Sequence, residues 1–409
     1  MNRTARQIFG QADYVARLYI IIFVMITFSG ATWVRNYVPH LMLIEGALAA
    51  SMAVVYEVKR NAFLNLRYWA GYVFLAVFDL YLWGQIGMSY TPVITKVYAV
   101  RFVIYCVLLV FVAKPAITYC CIQAMKGYSL VVAVSIIGES VLTGGKAGGL
   151  VGDYQSAGMM MSIAAILFLL DLYDEKKDYF NMFGLFLCLC GVLISGKRMF
   201  TLIIGISFVL IYGLSRAKGK KKKFYRLMIV MIFAGGLLFF FVPATHEVIN
   251  RMKALSGSTQ SMTSGRNVLW QVAMEIYREH PLFGIGFGAF KTYFEDHYVF
   301  SGIQAFLTHN IYYGLLSETG LIGTTLYVGF MAVSLMEALF CYRRVRLYGT
   351  RMQQYILNYA IALQIWYILY GFTGNGIYDA NESFFYTMAI AMVSSLKLSM
   401  ENCETVVIA

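Results

Sequence analysis

Charge is what this sequence has least of. Only 13% of its 409 residues are Asp, Glu, Lys or Arg, where a soluble globular domain carries about a quarter. With 60% hydrophobic residues, the chain has to present apolar surface to something other than water. Proline is scarce too, at five positions, so long apolar runs go uninterrupted. A run of roughly 20 apolar residues crosses a bilayer as a helix, and backbone groups in lipid must pair within the segment. These runs exclude barrel strands and predict an all-α, polytopic membrane protein with about 12 transmembrane helices. The seven cysteines (Cys106, Cys120, Cys121, Cys188, Cys190, Cys341 and Cys403) fall in the expected spans or at their inner ends. That placement argues against a disulfide framework and against a thiolate metal site. Leu18–Ser29 is followed by Gly-Ala, which mimics a cleavage site. Similar segments follow along the chain, so it reads as a retained first span.

The expected spans are 18–34, 38–56, 68–86, 97–113, 128–143, 157–171, 180–195, 199–214, 225–243, 320–341, 354–372 and 383–396. Most of the 33 lysines and arginines fall in the connections that share a side with the N-terminus. Lys114 and Lys126 are among them, with Lys176, Lys177 and the run Lys220 to Lys223. By the positive-inside bias both termini are cytoplasmic, in the plasma membrane. The net charge of +12 invites a nucleic-acid reading. The lysine run instead suits anionic headgroups on the inner face, so no nucleic acid is expected as a partner. The chain reads as a single membrane domain, 1–409, with one large extracytoplasmic loop, 244–308.

Three features gather on the outer side. Within the loop, Leu269, Val272, Ala273 and Ile276 recur at helical spacing, with Ser264 as N-cap and Pro281 as stop. Arg266 then sits in the first turn, facing the positive end of the helix dipole. It is either a solvated arginine or one half of an anion clasp with the free backbone N–H groups. Next, Ser195-Gly196-Lys197-Arg198 makes a tight turn with two cations on the side where cations are disfavoured. They snorkel to headgroups or hold an anion. Last, Leu307-Thr-His-Asn-Ile-Tyr-Tyr-Gly-Leu-Leu-Ser-Glu-Thr-Gly320 opens a span with polar residues. Thr308 is expected to cap a helix starting at His309, which shares a face with Tyr313. Glu318 falls on the opposite face and is a poor partner for His309. Ser317 to Gly320 is expected to break the helix. A boundary histidine serves as a structural hydrogen-bonding group or as a proton acceptor near neutral pH.

Other signals are weaker. Gly284-Ile-Gly286-Phe-Gly288 lacks the βαβ context of a nucleotide loop and reads as a turn that allows close packing. Glu279-His280 and Glu295-Asp296-His297 lack firm ligand spacing. Gly144 to Gly152, with Lys146 and Asp153, could line a ligand entrance.

The order of these motifs resembles the O-antigen ligase and polysaccharide polymerase (Wzy-like) superfamily: an outer Arg after span 7, Ser-Gly-Arg and Trp with His-Pro-Leu-Phe-Gly behind, then Thr-His-Asn and Glu-Thr-Gly. The match is specific in Ser264–Phe290 and Thr308–Gly323 and generic before span 7. The resemblance implies a membrane glycosyltransferase at the outer face. Its donor is an oligosaccharide on a polyprenyl (undecaprenyl-type) pyrophosphate, its acceptor a sugar hydroxyl, and it uses neither a cofactor nor a metal. It also implies that Arg198 and Arg266 hold the pyrophosphate and that His309 activates or aligns the acceptor. Lys197 departs from the small residue expected there and competes with Arg198 for the pyrophosphate. Asn310, Tyr313 and Trp270 are expected around the substrate. The polymerase reading is preferred, with an O-antigen ligase acting on lipid A–core, or a flippase, as alternatives. A flippase and a chain-length regulator are the implied protein partners.

Overall fold

The computed structural model describes residues 3–28, 44, 46–48, 50–51, 54–55, 70–110, 114–174, 179–214, 221–222, 224–225, 228–229, 266–298 and 307–408. Among them the regular elements are helices. They are α1 (Arg3–Gln11), α2 (Tyr14–Phe28), α3 (Ala70–Gln85), α4 (Pro92–Val110), α5 (Pro115–Thr143), α6 (Tyr154–Asp174), α7 (Tyr179–Ile194) and α8 (Arg198–Leu214). After the long loop begins come α9 (Arg266–Glu279), α10 (Phe290–His297), α11 (Ile311–Tyr348), α12 (Arg351–Tyr370) and α13 (Ala380–Ile408).

Six of the described helices are long and apolar enough to cross a membrane: Ala70–Met88, Pro92–Leu109, Pro115–Thr143, Tyr154–Tyr173, Ile311–Tyr348 and Ala380–Met400. Tyr179–Ile194 and Met199–Leu214 are shorter apolar helices. The expectation of about 12 spans is corrected accordingly. An apolar run is necessary for a span but not sufficient, because the helix must also reach across roughly 30 Å. Within the described residues α2 has 15 residues, α7 has 16 and α8 has 17, and each borders residues outside that set. α12 has 20, but Arg351, Gln353, Gln354, Asn358 and Gln364 dilute it. The expected spans 38–56 and 225–243 lie largely outside the described residues. What stands is an all-α, multi-pass membrane protein.

α6 is the centre of the bundle. It is apolar on every side, as a helix enclosed by other helices has to be, and α5, α7, α8 and α12 pack around it. Close approach depends on small residues, because lipid offers no hydrophobic driving force between helices. A Cβ at Gly191 of α7 would come 2.7 Å from Met161 Cγ, and one at Gly184 would strike the ring of Phe168.

Lys126, expected in a connection between spans, lies inside α5 instead. It is buried, pairs with Asp171 of α6 and Asn181 of α7, and lies 4.7 Å from the ring centre of Phe168. A lone cation there would be expensive, so the pair locks three helices into one register.

The long loop has a small core of its own. The α9 face expected from spacing (Leu269, Val272, Ala273 and Ile276) is the buried one, and it meets Ile285, Ala289, Phe290 and Phe294. Tyr313 of α11 packs against this cluster. The loop helix is thereby fixed to the start of a membrane helix, and this positions the site.

Candidate active site

α11 starts at Ile311 and is capped by Asn310, not by Thr308. The Asn310 side-chain oxygen accepts from the backbone N–H groups of Tyr312 (3.0 Å) and Tyr313 (3.2 Å), and its amide donates to the Phe372 carbonyl at 3.2 Å. Asn extends further than Thr into the N2 and N3 donors and ranks above it as a cap. Thr308 supports the turn from behind, its hydroxyl donating to the Asn310 carbonyl at 2.8 Å. His309 is therefore outside the helix, with φ at +51°, the only non-glycine among the described residues in the left-handed region. That conformation is uncommon for a residue with a Cβ and costs on the order of 1 kcal/mol or more.

Asn375 stabilises this conformation. Its Oδ1 accepts from the His309 backbone N–H at 2.9 Å, and its Nδ2 contacts His309 Nδ1 at 3.1 Å. Asn375 belongs to the connection 371–379 between α12 and α13, whose polar groups the spacing of apolar residues leaves unnoticed. The same connection takes an N–H from Arg266 at the Thr373 carbonyl, 3.1 Å, and its Gly371 carbonyl accepts from Ile311 N at 2.9 Å. Arg101 of α4 donates to the Tyr378 carbonyl at 2.9 Å. One signal was available: Gly371-Phe-Thr-Gly-Asn-Gly376 combines glycine with hydrogen-bonding side chains at the mouth of two apolar helices.

Arg266, Lys197 and His309 are brought together. Burial, then the charges of Arg266 and Lys197, push the His309 imidazole down to about 4, so it is neutral at physiological pH. Burial, then Arg266, lower Lys197 to about 8, with Asp153 and Glu382 opposing and Lys146 adding to the fall. Lys146 and Asp153, expected at a ligand entrance, thus act on the same cation. Gly196, at φ +68°, lets the α7–α8 turn pass beside the Lys146 side chain, 2.7 Å from where a Cβ would stand. Arg198 is the first residue of α8; its side chain lies outside the described residues, as does Ser264. Arg266 and Lys146 repel Lys197, Asp153 and Glu382 offset part of that repulsion, and an anion would relieve the rest.

Trp270 and Tyr313 face each other rather than open space. Their rings stack at 5.6 Å and 18°, and the Trp270 indole N–H donates to the Thr308 carbonyl at 2.9 Å. They hold the His309 turn against α9.

Glu318 lies away from His309, as its helical phase requires. Its carboxylate accepts from the backbone N–H groups of Gly288 (2.8 Å) and Phe290 (2.9 Å) and from the Tyr378 hydroxyl (2.8 Å). Gly320, with φ +59° and ψ −163°, breaks α11 just beyond it. The broken turn frees backbone groups that the segment after Pro281 takes up: Leu321 N bonds to the Pro281 carbonyl at 2.8 Å and Gly286 N to the Glu318 carbonyl at 2.9 Å. Gly284, Gly286 and Gly288 all have positive φ, and side chains there would collide with Glu318, Ser89 and Tyr98. The glycine run is a close-packing turn. Gln85 of α3 closes the same junction, donating to the carbonyls of Phe283 (2.6 Å) and Glu318 (2.7 Å).

Among the described residues no cluster of three or more His, Cys, Asp and Glu side chains is placed to hold a metal ion. Asp296 accepts from the Tyr90 hydroxyl at 2.6 Å, and His297 stacks on Tyr293.

Comparison with protein families matches residues 183–328 to Wzy_C, the O-antigen ligase family. The chain carries a Wzy_C domain. The domain runs from α7 through α8 and the long loop into α11, so it holds Lys197, Arg266, Trp270 and His309 together. It covers less than half of the chain, and Asn375 lies beyond its end. None of the curated proteins matches the chain.

Proposed function

We propose that the protein is a glycosyltransferase that moves a preassembled glycan from a polyprenyl pyrophosphate to a sugar hydroxyl, at the outer face of the cytoplasmic membrane, with both chain termini inside. The observation that carries this reading is the convergence of Arg266 and Lys197 on a neutral His309 within a Wzy_C domain. Two half-buried cations suit a pyrophosphate, whose negative charge grows as it leaves. Arg198, at the same turn, joins them in this reading. The acceptor oxygen forms its bond to the anomeric carbon as the bond from that carbon to the phosphate oxygen breaks. The electron pair departs with the polyprenyl pyrophosphate and the configuration inverts, so no protein nucleophile is needed. A preactivated lipid donor supplies the driving force without a nucleotide sugar.

The matched family is described as O-antigen ligase, which favours the ligase alternative over the polymerase reading preferred from the sequence. The acceptor is then lipid A–core rather than a second lipid-linked unit. The test uses purified full-length protein in lipid nanodiscs, given polyprenyl-pyrophosphate oligosaccharide with each acceptor in turn. Glycan appearing on lipid A–core supports the ligase. Lengthened lipid-linked chains alone would restore the polymerase. In vesicles, flipping of the donor with no transfer to either acceptor would overturn the enzyme reading.

A further inference from the structure

The resemblance assigns His309 to the acceptor, as a base or an aligner. The hydrogen bonds around the ring point elsewhere. The Asn375 carboxamide can sit in only one orientation, because the His309 backbone N–H is solely a donor and must face Oδ1. The atom that then faces His309 Nδ1 is Nδ2, which is also solely a donor. Nδ1 must therefore accept, and the ring proton of the neutral imidazole belongs on Nε2. A proton on Nδ1 would set it against the Nδ2 donor, and turning the carboxamide over would set Nδ2 against the backbone N–H.

We infer that Asn375 is a positioning residue that fixes His309 as a neutral Nε2–H donor, and that His309 joins Arg266 and Lys197 in binding the leaving pyrophosphate instead of acting as a base on the acceptor. This rests on the glycosyl-transfer reading above. A ring whose Nδ1 is occupied by a donor and whose Nε2 carries a proton has no lone pair to offer a hydroxyl. It has an N–H to offer an oxyanion, and a neutral imidazole serves well as an electrophile beside a developing charge. Among the described residues the charges that act on the ring are those of Arg266 and Lys197, and both select an anionic oxygen for that donor. Arg266 and Asn375 are further tied through one connection, Arg266 binding Thr373 and Asn375 binding His309, so the donors are held in fixed relation. The left-handed backbone at His309 delivers its N–H and Nδ1 to the same carboxamide, which accounts for the strain. The acceptor's proton then passes to solvent on the acceptor's own face of the sugar, opposite the leaving group. One C–O bond forms, one breaks, and the lipid leaves carrying the electron pair.

The test reads the ring directly. Full-length protein is labelled with ¹⁵N-histidine in nanodiscs without substrate, and the His309 signal is assigned by its loss in His309→Gln. Two-bond couplings from the ring protons tell which nitrogen is protonated. Wild type is expected to show Nε2–H throughout pH 5 to 8, with no titration near the ordinary histidine value. Asn375→Asp places a carboxylate against Nδ1 and is expected to move the proton there and raise the imidazole pKa. In transfer assays, Asn375→Asp then loses tenfold or more in kcat, although its Nε2 has become a base. His309→Gln, which keeps an N–H near the Nε2 position, retains at least tenfold more activity than His309→Ala. A wild-type signal from Nδ1–H or from the cation at pH 7 overturns the proposal. So does full activity in Asn375→Asp, or equal loss in His309→Gln and His309→Ala. Wild type that transfers no glycan counts against the glycosyl-transfer reading instead, and the spectrum still decides the tautomer.

Discussion

The Tyr378 hydroxyl donates to Glu318 Oε2 at 2.8 Å, joining the connection before α13 to the start of α11 in the interior of the protein. Glu318 is wholly buried and takes two backbone N–H groups besides. Glu318→Gln presents an NH₂ to one of those donors and leaves a buried N–H unmatched, at a cost of about 1–3 kcal/mol. Tyr378→Phe removes one donor and spares the other two, costing about 1 kcal/mol. Thermal unfolding in detergent should rank wild type above Tyr378→Phe and Tyr378→Phe above Glu318→Gln. Equal midpoints for all three would mean that the carboxylate does not hold the junction.

Gly320 makes a sharper prediction. With φ at +59° and a would-be Cβ against the Leu282 backbone, Gly320→Ala has to distort both chains. Strain at positive φ costs about 1 kcal/mol or more before any collision is counted. Gly320→Ala should therefore fold poorly or unfold at clearly lower temperature. Gly138→Ala, in α5 with nothing within 4 Å, should be neutral or mildly stabilising. Matching behaviour in the two variants would count against the break in α11.

Lys197 gives a pH dependence. Its folded value is about 8, below its ordinary one, so the ammonium is complete only below that pH. An anion needs the ammonium. Binding of inorganic pyrophosphate, measured by calorimetry, should be full below pH 8 and weaken above it, by up to about tenfold per unit. Lys197→Arg should keep the affinity above pH 9, and Lys197→Met should start low and stay flat. If Lys197→Met binds as tightly as wild type at pH 7, the anion lies elsewhere.

The Lys126–Asp171 pair can be tested by double substitution. Removing one partner strands a buried charge and costs about 3–5 kcal/mol. Lys126→Met alone should unfold at much lower temperature, whereas Lys126→Met with Asp171→Leu should recover most of the loss. Additive losses in the double variant would show that the two side chains do not interact.

The parts of this architecture that repeat were legible in the sequence. The buried face of α9 follows from helical spacing, and the break at Gly320 from a cluster of Ser, Glu, Thr and Gly inside an apolar run. Contacts between distant turns were not. Asn375 reaches His309 across 66 residues, from a connection with no periodicity of its own. Lys126 looked like a topological flank because it precedes an apolar run, and only the helices beside it show that its charge is matched inside the bundle. Among the described residues the span count was too high at α12, where Arg351, Gln353, Gln354, Asn358 and Gln364 dilute an apolar run.

The left-handed turn at His309 has a consequence for how this site can change over generations. Few side chains tolerate that backbone; asparagine, aspartate and histidine do so best, and branched ones hardly at all. Variation at position 309 is filtered first by geometry and only afterwards by chemistry. A lineage that gave up the imidazole would pass through a short polar residue or through glycine, and each of those keeps the turn while discarding the ring.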